Sequence, residues 1–86
     1  MITRQMIADY INNYFTHKIT KEEMVEWAEK VIMDKEYEEN YFDQINNALK
    51  KIGASDVHNF DLVWDDYVAI LKSLNYKITV DISKVN

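Results

Sequence analysis

The chain has no cysteine, no proline and a single glycine in 86 residues. Without cysteine there can be no disulfide staple, no thiolate metal site and no thiol nucleophile, and the composition suits a reducing cytoplasm. A lone glycine rules out the closely spaced glycines that cradle phosphate in a P-loop or a Rossmann turn. No run comes near the roughly 18 apolar residues of a membrane span, and Met1-Ile2-Thr3-Arg4-Gln5 lacks the apolar stretch of a signal peptide, so the expectation is a soluble cytoplasmic protein with no membrane contact. Basic residues are also scarce. Ten stand against fifteen acidic ones, a net charge of −5, which disfavours direct binding to a nucleic-acid backbone and favours a basic partner.

What is present reads as helix. Eighty-six residues make one domain with one core and leave little material for an enclosed substrate cavity. With no proline to mark boundaries, the elements are read from caps and from the points where the apolar period fails. Met6, Ile7, Tyr10, Ile11, Tyr14 and Phe15 recur at spacings of three and four behind a Thr3 N-cap, predicting a helix over 3–16. Thr20-Lys21-Glu22-Glu23 spells a capping box, flanked by Ile19 and Met24 as a hydrophobic staple, and opens a helix over 20–34. Continuing that helix would turn Lys35 into the apolar face, so a break is expected between Asp34 and Tyr37.

A third helix over 38–52 carries Tyr41, Phe42, Ile45, Ala48, Leu49 and Ile52 inward and ends at Gly53 in the left-handed conformation. Asp61 caps a fourth over 61–75, with Val63, Trp64, Tyr67, Val68, Ile70, Leu71 and Leu74 as its stripe. Beyond Asn75 the period changes to two, with Ile78, Val80 and Ile82 alternating against polar neighbours, which predicts a short strand over 76–82. The fold class is therefore mainly α: a four-helix, bundle-like single domain, 1–86, with a short C-terminal β-strand or extended tail.

The candidate functional stretch runs from Glu22 to Asp43. It holds nine carboxylates against Lys30 and Lys35, a net −7 in 22 residues, which leaves the remainder of the chain at about +2. Glu22, Glu26 and Glu29 fall on the α-helical face opposite Met24 and Val31, with Met33 among them. Trp27, Trp64, Tyr10, Tyr41 and Phe42 fall on apolar faces and are assigned to the core. Tyr37, at the proposed break, is placed either as an interface anchor or as a cap on the core. The expected partner-binding set is Glu22, Glu26, Glu29, Met33, Asp34, Glu36, Tyr37, Glu39 and Asp43.

Catalytic, cofactor and metal sites are not expected. His17 and His58 have no second ligand at helical spacing, His17 being assigned to the negative end of the first helix dipole, and no Glu-x-x-His, His-Glu-x-x-His or Asp-x-Asp-x-Asp-Gly pattern occurs. Acid–base work by a pair such as Glu36 and Glu39 would need a desolvated pocket that this chain can hardly build.

The run Ile19-Thr20-Lys21-Glu22-Glu23-Met24-Val25-Glu26-Trp27-Ala28, the acidic stretch that follows it and the aromatic-rich Leu62-Val63-Trp64-Asp65-Asp66-Tyr67 together resemble small bacterial immunity proteins of the colicin and contact-dependent-inhibition type. The likeness covers most of the helical part and lies in size, acidity and helix style, so no single residue role is carried over. It implies a non-catalytic inhibitor that binds a cognate toxin, often a basic nuclease, with carboxylates that mimic phosphates. The alternative from composition and pattern is a self-associating structural or regulatory protein, dimerising through the strand from Tyr76 to Ile82.

Overall fold

The computed structural model describes residues 1–55 and 61–78. Among them are four helices, α1 (Arg4–Phe15), α2 (Lys21–Ile32), α3 (Phe42–Gly53) and α4 (Trp64–Ser73), and no sheet. The chain is mainly α, as its periodicity predicts; the strand expected over 76–82, and any dimer built on it, fall largely outside the described residues.

Local chemistry accounts for where two of the helices begin. Thr3 caps α1, its hydroxyl accepting the Met6 N–H at 3.2 Å. Thr20 opens α2 with both halves of the capping box: its hydroxyl accepts from the Glu23 N–H and its own N–H donates to Glu23 Oε1, each at 3.1 Å. A cap of this kind contributes about 1 kcal/mol.

The start of α4 differs from expectation. Its N-cap is Val63, and the carboxylate of Asp66 reaches back to the Val63 N–H at 2.9 Å. Asp61 pairs instead with the Lys21 ammonium at the start of α2, tying two helix starts together. The helix expected over 38–52 also begins later: Glu39–Tyr41 form a single 3₁₀ turn, and the backbone of Tyr41 (φ −127°) interrupts the helix before Phe42.

The one glycine does not do what its position suggests. Gly53 is the last residue of α3 with an ordinary negative φ, and the positive-φ residues among those described are His17 (62°), Lys35 (51°) and Asn75 (66°). His17 and Asn75 each stand just past a helix end. After α1, Lys18 N–H donates to the Asn13 carbonyl at 2.8 Å and His17 N–H to that of Tyr14 at 3.1 Å. After α4, Tyr76 N–H donates to Leu71 at 2.8 Å and Asn75 N–H to Lys72 at 3.0 Å. Both are Schellman endings, in which the left-handed residue turns the chain so that the last carbonyls find donors. Left-handed backbone costs a residue with a Cβ about 1 kcal/mol. His17 therefore belongs first to this turn geometry, beyond the dipole role its position suggests.

The core gathers one face from every helix. Ile7, Ile11, Met24, Ile45, Leu49, Ile52 and Leu74 are fully buried, each contributing about 1.5–3 kcal/mol relative to exposure. α2 and α3 form the most extensive helix pair. The connector between them is held by the residues that lead into α1: Ile2 pairs with Tyr37 in an isolated parallel bridge, its N–H donating to the Glu36 carbonyl at 2.6 Å and its carbonyl accepting from the Glu38 N–H at 2.8 Å.

Candidate functional site

On α2, Glu22, Glu26, Glu29 and Met33 stand at i, i+4, i+7 and i+11, which places them within an arc of about 60° along roughly 16 Å of helix. All four are exposed, Met33 at 81%. Met33 caps the helix in right-handed geometry and so continues the stripe. Glu29 rests its stem on the end of α3, its Cγ lying 3.6 Å from where a Cβ on Gly53 would stand. The connector then carries Asp34, Glu36 and Glu39 to Asp43 in the first turn of α3, and these four are exposed as well. Among the described residues, none of the seven carboxylates lies within 4 Å of a lysine or arginine nitrogen.

The other two acids of the stretch, Glu23 and Glu38, are engaged at home. Glu23 closes the capping box, and Glu38 Oε1 accepts the Arg4 N–H at 3.1 Å, a negative charge placed at the positive end of α1. Tyr37 takes the second of its two expected places, as a cap on the core, and so leaves the expected contact set. Its ring is 6% exposed, packs 5.0 Å from Phe42, and its hydroxyl lies 3.3 Å from the Ile32 carbonyl and 3.2 Å from Asn46 Oδ1. Pairing of its backbone with Ile2 turns it inward. Burial, and secondarily the charge of Asp34, push its hydroxyl pKa above the usual phenol value.

Two aromatics assigned to the core are partly in solvent: Phe42 is 41% and Trp64 48% exposed. Each is the first residue of its helix, where the apolar stripe runs past the end of the packed face. Phe42 thereby joins Met33 as apolar surface at the two ends of the acidic connector. Trp64 stacks on Phe15 at 5.0 Å, and Phe15 meets Tyr67 edge-on at 5.2 Å. Tyr67 is buried, and its hydroxyl is pushed up to about 12, first by burial and then by the charges of Tyr14, Asp61 and Asp66.

Sequence reading missed Arg4. Its guanidinium donates from Nη1 to the Tyr41 hydroxyl at 3.0 Å and to the Leu74 carbonyl at 3.2 Å, and lies 4.4 Å from the Tyr41 ring centre and 5.3 Å from that of Tyr76. Tyr76 in turn donates its hydroxyl to Gln5 Oε1 at 2.8 Å. One signal was available: Arg4 is the chain's lone arginine against nine lysines, and arginine is the cation suited to stacking and to several hydrogen bonds at once.

Among the described residues there is no group of three or more His, Asp or Glu side chains that could hold a metal ion, and no helix is long and apolar enough to cross a membrane. His58 lies outside the described residues. No known family, curated protein or solved structure matches this chain. The class that the fold itself defines is a small, mainly helical domain.

Proposed function

We propose that the chain is a non-catalytic, cytoplasmic protein-binding module whose acidic outer surface receives a basic protein. A toxin or nuclease neutralised in the manner of bacterial immunity proteins is the partner class this reading names. The observation that carries it is the row of exposed carboxylates, Glu22, Glu26, Glu29, Asp34, Glu36, Glu39 and Asp43, without a cationic neighbour within 4 Å among the described residues. Like charges one helical turn apart cost roughly 0.2–0.5 kcal/mol per pair, a cost the fold has no need to carry. In return they steer a cationic partner, with association rates raised by about 10 to 1,000-fold at low salt. Met33 and Phe42, in place of Tyr37, supply the apolar contacts that hold such an encounter.

Affinity capture from the native cell, run in parallel with the wild type and with Glu26→Lys/Glu29→Lys, tests this. The reading expects a protein of high isoelectric point on the wild type, with association by the double variant slowed at least about tenfold and less dependent on salt. Equal association by the two proteins, or a partner of acidic character, would remove the acidic surface from the argument.

A further inference from the structure

Beside the stripe on α2 lies an open groove of about 310 Å³, lined by Tyr10, Ile19, Glu23, Glu26, Trp27 and Lys30. Its apolar wall is a pair of rings from different helices, Tyr10 of α1 and Trp27 of α2, stacked with centroids 3.8 Å apart and planes 10° apart. Glu23, Glu26, Trp27 and Lys30 stand at i, i+3, i+4 and i+7, so two carboxylates and one ammonium border the slab on a single helix face. One oxygen of Glu23 serves the Thr20 N–H. Glu26 has neither a hydrogen-bond nor an ion-pair partner among the described residues, and it belongs to the stripe as well, so the groove opens onto the acidic surface.

The chemistry selects among occupants. A purely apolar group would cover Glu26 and leave its charge unpaired, at a desolvation cost. An anion is repelled by both carboxylates. A flat cation satisfies both walls together: a guanidinium lays its face on an aromatic ring and turns its edge N–H groups to a carboxylate, which a compact ammonium does not do. We propose that this groove receives an arginine side chain of the basic partner. The inference rests on the acidic-surface reading and sharpens it by naming the anchor. Lys30 opposes the incoming charge and keeps the groove selective for a cation that gains from stacking.

The test is a titration of the full chain, labelled with ¹⁵N, with tetra-arginine amide and separately with tetra-lysine amide. The indole N–H resonances of Trp27 and Trp64 report two separate places on the surface. The proposal expects saturable movement of the Trp27 indole and of the amides from Glu23 to Lys30, with the Trp64 indole still and the arginine peptide the tighter ligand. Glu26→Gln should weaken arginine binding about three- to fivefold, as for an exposed ion pair, and Lys30→Gln should tighten it. A motionless Trp27, equal affinity for the two peptides, or indifference to Glu26→Gln overturns the groove. If the arginine peptide then moves only the amides from Asp34 to Asp43, the acidic surface stands without this anchor; if nothing moves, both readings fall.

Discussion

Two sets of charged side chains in this molecule contrast sharply. Around Arg4, charge is turned inward: the guanidinium bridges Tyr41 and Leu74, and Glu38 holds the first N–H of α1. Along α2, the connector and the first turn of α3, seven carboxylates face water with no cation within 4 Å among the described residues. Both sets come from the same small chain, and they differ in what removal would leave behind. Deleting an inward group strands a partner that has already given up solvent, whereas deleting an outward one returns water to water. The contrast separates residues that hold the fold together from residues left available to something else.

The contrast can be broken at several points, and Tyr37 should give the largest effect. Tyr37→Ala empties a buried ring site beneath Phe42 and is expected to cost about 3–5 kcal/mol in chemical denaturation. A loss below 1 kcal/mol would mean that the ring is not part of the core. Arg4→Met keeps the stem but removes the donors and the charge; about 2 kcal/mol should be lost, read as a lowered urea midpoint with an unchanged slope.

Tyr67 supplies a test by pH. Its folded pKa of about 12 exceeds the ordinary 10.0, so the fold holds the neutral phenol more firmly than the unfolded chain does. That contribution is whole below pH 10 and is lost as pH rises through 12. The wild-type midpoint should therefore fall across this window more steeply than that of Tyr67→Phe, and parallel curves would contradict the assignment. At the small end, Glu26→Gln with Glu29→Gln should leave stability within about 0.5 kcal/mol of the wild type. A larger loss in thermal melts would move these two carboxylates into the inward set.

The features legible in the sequence were those written in neighbouring residues. The box at Thr20 and Glu23 is local chemistry within four positions, and the stripe from Glu22 to Met33 follows from helical spacing alone. The break after α2 was visible because Lys35 would have entered the apolar face. Tyr37 was half legible: its place at the break allowed an interface anchor or a core cap, and the choice depends on Ile2, far away in the chain; the role of Arg4 was illegible for the same reason. Gly53 misled because the preference for glycine in left-handed turns is statistical, and here the turns fall to His17, Lys35 and Asn75. The exposure of Phe42 and Trp64 depends on where a helix starts relative to its neighbours, which periodicity does not encode.

The bond from Arg4 to the Leu74 carbonyl joins positions 70 residues apart. Closing so wide a loop costs more chain entropy than bringing α2 onto α3 across a short connector, so local pairing comes first and this clasp comes late. During synthesis the first residue of the first helix waits, its guanidinium hydrated, until Leu74 at the close of the fourth has left the ribosome. A latch set in the first helix is thus fastened only once the fourth has formed.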